Sequence, residues 1–87
     1  MNTGPNVTLT MPLIKAPVGV PLIVETTAAD AEVAHRLATL GWRPGSQTRL
    51  LKHAVGGAQV VEVAGARVAL AKKLCTQLQV YVENGVQ

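Results

Sequence analysis

Leu37-Ala38-Thr39-Leu40-Gly41-Trp42-Arg43-Pro44-Gly45 is the stretch whose reading decides the fold of this 87-residue chain. Leu37 and Leu40 stand three apart and so share one face of a helix. Gly41 falls where a helix C-terminus favours positive φ, a conformation that no Cβ opposes at glycine. Pro44 fixes its own φ, and Gly45 follows as the residue that tolerates a left-handed backbone, which suits a type II turn. Nine residues therefore hold the end of a helix, its stop signal and a sharp turn into a strand.

Upstream of this stretch, Val33, Leu37 and Leu40 recur at helical spacing with Ala34 beside them, while His35, Arg36 and Thr39 fall on the opposite side. This predicts an amphipathic helix of about three turns. Thr27 and Asp30 have capping-box spacing, so the Thr27 hydroxyl is the expected N-cap and Asp30 adds negative charge to the first turn. Before the helix, the β-branched run Val20–Thr26 reads as a strand with Leu22 and Val24 on one face, Ile23 on the other and Pro21 at its beginning or on an edge. Earlier still, Pro12, Pro17 and Pro21 punctuate a connecting stretch. Residues 1–11 read as a flexible leader with room for one short extended piece at Val7–Thr10.

Downstream, Thr48–Ala54 and Gln59–Ala64 read as two strands of a hairpin turned by Gly56 and Gly57, with Val61 and Val63 inward and Glu62 outward. Gly65 makes another tight turn into the short strand Arg67–Leu70. Ala71–Cys75 can form one helical turn, Leu78–Val82 closes the series as a strand, and residues 84–87 are a tail. One domain over 12–83 follows. Five short strands with glycine turns on so small a chain favour a closed or nearly closed barrel, because closure removes unpaired edges; the helix between the first and second strands plugs one opening. The fold class is mainly β with one main helix.

Composition narrows the function. Apolar residues make up 48% of the chain and charged residues only 15%, which points to apolar surface that meets a partner. The net charge is +3, and the cations Lys15, Arg36, Arg43, Arg49, Lys52, Arg67, Lys72 and Lys73 are scattered rather than clustered, so a nucleic-acid footprint is not expected. Trp42 and Tyr81 are the only aromatics. Two aromatics cannot line a proline-rich-peptide groove or build a base-stacking platform. The single cysteine, Cys75, forms no internal disulfide, and no apolar run is long enough to span a bilayer, so a reducing, cytoplasmic setting is expected.

Reactive chemistry is thin. No nucleophile elbow, phosphate-cradling loop or His–carboxylate motif stands in the sequence, so no catalytic role is expected. The soft ligands His35, His53 and Cys75 show no metal-binding spacing, so no cofactor and no built-in metal site are expected. Glu32 with His35, one turn apart, and His53 are candidates only for adventitious binding of a divalent ion.

The order of signals resembles the ferrous iron transport protein A (FeoA) family: Leu-x-x-Leu-Gly-x-x-Pro-Gly-Ser at Leu37–Ser46, a Gly-Gly hairpin, Val-x-Val-x-Gly-x-Arg-x-Ala-Leu at Val61–Leu70, and a closing apolar strand, together covering about Leu13–Val82. The resemblance implies a small SH3-like barrel with an extra helix. It also implies a cytoplasmic accessory of ferrous iron uptake that acts by contact with the GTP-driven permease FeoB, and so is peripheral to the membrane only through that partner. A weak homo-oligomer is compatible with the low surface charge. The alternative is a regulatory or nucleic-acid-binding barrel like the domain appended to metal-responsive repressors. Trp42 stands where the family usually has an aliphatic residue.

On this reading Leu37, Leu40, Trp42, Arg43 and Arg67 are the candidates for partner contact, and Gly41, Pro44, Gly45 and Gly65 are structural turns. Leu37 and Leu40 also read as core by periodicity. Trp42, just past the helix stop, can sit half exposed, where large aromatics are enriched at interface centres. Its truncation is then expected to weaken partner binding and leave the fold intact.

Overall fold

Period-two alternation builds the sheet of this computed structural model, which describes residues 9–26 and 30–83. Strand β2 (Pro21–Thr26) buries Leu22 and Val24, β3 (Gln47–His53) buries Thr48 and Leu50, and β4 (Gln59–Val63) buries Gln59, Val61 and Val63. Ile23 and Glu62 point the other way, as alternation requires. With β1 (Met11–Pro12), β5 (Ala66–Leu70) and β6 (Gln79–Val82), these strands form one antiparallel sheet in the order β1-β6-β2-β3-β4-β5. Register shifts interrupt the β2–β6 ladder between Val24 and Thr26 and the β3–β4 ladder between Leu50 and Lys52. Such bulges sharpen the local twist and let a short sheet roll over its own core. Among the described residues β1 and β5 end the order without pairing to each other, so the barrel is nearly closed.

The core joins Leu22, Val24, Leu50, Val61, Val63 and Val80 of the sheet to Leu13, Leu37, Trp42, Cys75 and Leu78 from the connections. It contains a single aromatic ring, and branched aliphatic residues fill the rest.

Two details of the N-terminal half correct the sequence reading. First, among the described residues there are six strands where the sequence reading gave about five. Met11 and Pro12, read as the end of a leader and the start of a connection, pair with Val80 and Gln79. The Leu13 amide continues the contact by donating to the Leu78 carbonyl at 2.8 Å. A 3-10 turn at Leu13–Lys15 then drops Leu13, fully buried, into the core. A two-residue strand shows no alternation in sequence, so it was not visible. Within the expected extended piece Val7–Thr10, Val7 and Thr8 lie outside the described residues, and Leu9 and Thr10 are exposed and outside any strand.

Second, Asp30 is the N-cap of the main helix α1 (Ala31–Thr39), which is nine residues long and nearer two and a half turns than three. Its carboxylate oxygen Oδ1 accepts from the Glu32 amide at 2.8 Å and the Val33 amide at 3.4 Å. Thr27, the expected cap, lies outside the described residues.

The C-terminus of α1 behaves as the glycine foretold. Gly41 has φ +99°, its amide donates to the Ala38 carbonyl at 3.0 Å, and the Trp42 amide donates to the Leu37 carbonyl at 2.9 Å. This is a Schellman motif, which is accompanied by an apolar contact between the residue after the glycine and the third helical residue from the end. Here those residues are Trp42 and Leu37, and both are buried. Leu40, expected in the core, is 44% exposed instead, because the motif turns it outward as the C-cap just past the last helical residue. The following turn is fastened at both ends. The Ser46 amide donates to the Arg43 carbonyl at 2.9 Å, and the Gly45 amide (φ +88°) donates to the Val24 carbonyl at 2.7 Å.

The β4–β5 hairpin turns on Ala64 and Gly65, with φ +52° and +81°, between the paired residues Val63 and Ala66. Positive φ at both central positions is the type I′ geometry, which favours Asn-Gly over Ala-Gly. Ala64 is therefore held in a left-handed conformation without the local hydrogen bonds that asparagine supplies. Ala64→Asn is expected to raise stability by about 0.5–1 kcal/mol, read as a higher midpoint in urea at unchanged m-value.

Candidate functional site

Leu37 and Trp42, carried from sequence as partner contacts, are 4% and 1% exposed and belong to the core. A rigid partner surface cannot include them. Leu40, Arg43 and Arg67 do reach the surface. Leu40 and Arg43 flank the helix stop, and the Arg43 side chain folds back so that Nε donates to the Ala38 carbonyl at 3.3 Å. That bond adds a cation to the carbonyl end of α1, where the helix dipole favours it.

Arg67 sits apart from these two, on β5. Cross-strand register places it opposite Glu62, and Glu62 opposite Arg49, so the three charged residues form one outward row over β3, β4 and β5. Beside this row an open groove of about 510 Å³ is lined by Ser46, Arg49, Glu62, Gly41, Ala64 and Gly65, among others. Gly41 is needed here for a second reason. A Cβ on it would come within 2.9 Å of the Ala64 Cβ, so the helix stop and the β4–β5 turn touch only because one of them lacks a side chain.

The adventitious metal candidates are not drawn together. Glu32 and His35 are exposed on α1, whereas His53, at the end of β3, has its Nδ1 hydrogen-bonded to the Gln59 side-chain oxygen. Among the described residues no three His, Cys, Asp or Glu side chains converge in a manner that could hold a metal ion. Gln59 was missed at the sequence level. It is 2% exposed, and its Nε2 also donates to the Gly57 carbonyl at 3.0 Å, so a buried amide fastens the β3–β4 turn.

Cys75 is buried in the short helix α2 (Lys72–Cys75), with Sγ donating to the Leu70 carbonyl at 3.3 Å. Burial pushes the thiol pKa up, opposed in part by a backbone hydrogen bond from Gln59. The folded chain thus holds this proton more tightly than the unfolded chain, in which a thiol ionises near pH 8.5. The associated stability is complete below about pH 8.5 and is lost as pH rises through the folded pKa. Unfolding midpoints measured from pH 7 to about pH 10.5 are expected to fall more steeply for wild type than for Cys75→Ala.

Among the described residues no helix is long and apolar enough to cross a membrane.

Comparison with known proteins adds the family. No curated protein matches the chain. Among solved structures, the chain is similar to the crystal structure of an iron uptake regulatory protein, FeoA, with 25% identity and a TM-score of 0.70, covering 84% of this chain and 96% of the other. It is also similar to the solution structure of the FeoA protein from Chlorobium tepidum, with 24% identity and a TM-score of 0.78, covering 88% of this chain and 74% of that one. A manganese-dependent transcriptional repressor shares the fold at 20% identity and a TM-score of 0.77, and the match spans 88% of this chain but only 44% of the repressor. The barrel is therefore the SH3-like one found both in FeoA proteins and within such repressors. Residues 11–82, nearly the whole described chain, match the FeoA domain, and the chain belongs to the FeoA domain family.

Proposed function

We propose that this chain is a small accessory of ferrous iron uptake that works by protein–protein contact with the cytoplasmic part of the GTP-driven permease FeoB. The observation that carries this reading is the FeoA-domain match over residues 11–82. The surface supports it in kind, since among the described residues the fold presents exposed apolar and charged side chains for contact. Leu40, Val18 and Val55 are large apolar residues left 44%, 46% and 98% exposed. The protein resides on the cytoplasmic side and needs no cofactor for this role, and a divalent ion at Glu32 and His35 or at His53 would be adventitious.

The likeness to repressors supports a second reading, a regulatory barrel that touches nucleic acid. It is the weaker of the two, because Trp42 is buried and Tyr81 half-buried, which leaves no aromatic platform for bases.

The test is ferrous iron uptake by a strain deleted for its own FeoA protein and complemented with this chain. Wild type is expected to restore uptake, and Leu40→Asp with Arg43→Glu to restore it several-fold less at equal protein level. Full complementation by an empty vector, or none by wild type, would overturn the reading.

A further inference from the structure

The two edges of the sheet are treated differently. The β1 edge is blunted in the usual ways, being two residues long and ending in Pro12. The β5 edge is five residues long, contains no proline, and pairs with β4 in continuous register without a bulge. Nothing among the described residues pairs with its outer side. Ala66, Arg67 and Ala69 are exposed there.

The register tells which backbone groups face out. The two-residue turn closes on the pair Val63–Ala66, a hydrogen-bonded pair in a hairpin of this kind, and pair types alternate along an antiparallel ladder. Val68 and Leu70 therefore bond to β4, whereas Arg67 and Ala69 direct their N–H and C=O groups away from it. Two donors and two acceptors stand at strand spacing, ready for another strand.

Charge selects the occupant. Residues 47–73 hold Arg49, Lys52, Arg67, Lys72 and Lys73, five of the eight Lys and Arg of the chain, against one carboxylate, Glu62. Glu62 already lies between Arg49 and Arg67 in cross-strand register, so the edge and the adjoining α2 remain net positive. A second copy pairing β5 to β5 would bring two such basic edges together, which is unfavourable. Nucleic acid would meet the charge but not the alternating donors and acceptors of the edge.

We propose that the outer edge of β5 docks an extended, acidic segment of a partner protein, which adds to the sheet as a further strand through Arg67 and Ala69. This rests on the reading of the chain as a contact protein and names the place and chemistry of the contact.

The test uses the full chain, isotopically labelled for NMR, titrated with an end-blocked peptide of alternating glutamate and valine, and separately with the cytoplasmic part of FeoB. Shifts centred on β5 and slowed exchange of the Arg67 and Ala69 amides are expected with both. Ala69→Pro removes an N–H outside the β4–β5 ladder and is expected to weaken binding about tenfold or more. Should that variant unfold, Arg67→Glu with Lys73→Glu gives the second readout, a loss of affinity that shrinks as salt is raised. Shifts confined to the helix stop around Leu40 and Arg43, or unchanged affinity in the charge-reversed variant, overturn the proposal. So does concentration-dependent protection of Arg67 and Ala69 without peptide, which would mean a second copy. So does retention of a thymidine oligonucleotide in preference to the peptide. If FeoB binds wild type and both variants alike, the β5 site fails and the proposed function stands. If the peptide binds at β5 and FeoB does not bind at all, the site stands and the proposed function fails.

Discussion

Trp42→Ala is expected to destabilise the protein by about 3–5 kcal/mol, the cost of truncating a large buried aromatic. The ring is 1% exposed and is the largest of the fully buried side chains. A domain of this size has a total stability on the order of 5–10 kcal/mol, so the variant should melt far below wild type or lack a cooperative transition. This reverses the expectation that came from the family's aliphatic residue at this place and from the enrichment of tryptophan at interfaces. The ring is held by chain geometry: its amide bonds to Leu37 at the helix end, and the side chain follows into the core. Trp42 Nε1 is buried without a hydrogen-bond partner among the described residues. Trp42→Phe removes that unsatisfied donor along with some volume, so it should cost far less than alanine, within about 1–2 kcal/mol of wild type. Denaturant titrations of the two variants side by side separate lost volume from lost polarity.

Gly41→Val carries the second large effect, about 3 kcal/mol or more, because two penalties fall on one atom. The backbone sits at φ +99°, where a β-branched residue is strained by about 1–3 kcal/mol. The new Cβ would also lie 2.9 Å from the Ala64 Cβ and 3.6 Å from Val63 Cγ2. Relief requires the helix stop to move off the β4–β5 turn, which pulls at Trp42 and Val63 together. Gly41→Ala meets the same contact with a smaller side chain and should fall between wild type and valine. A valine variant that melts with wild type would refute the helix-stop assignment.

Where the sequence was legible, the reason is that a residue type answers to one geometry. Gly41, Pro44 and Gly45 spelled a helix stop and a type II turn, and both are present. The alternation of Leu22 with Val24 and of Val61 with Val63 gave the inward faces of β2 and β4. What stayed hidden depended on partners distant in the chain. Met11 and Pro12 become a strand only because β6 offers them an edge. Gln59 looks like an outward polar residue until the β3–β4 turn supplies a carbonyl and an imidazole for its amide. Asp30 took the cap expected of Thr27 because its carboxylate reaches two free amides of α1.

The candidate surface was read less well than the fold, for one physical reason. Periodicity reports which face of an element is apolar but not how the element ends. The Schellman motif exchanged the fates of two neighbours, sending Trp42 in and Leu40 out. A signal for this was present, since an apolar residue directly after a C-terminal glycine packs back on the last turn. The open β5 edge could not be read at all, because an edge is a property of strand order.

The most direct test of the account is a calorimetric titration of the folded chain with the cytoplasmic part of FeoB at moderate salt. The account predicts saturable binding that weakens for Arg67→Glu at unchanged fold, because charge at a contact's rim tunes association. Absence of binding by wild type, with nucleic acid retained under the same conditions and released steeply as salt rises, would contradict it.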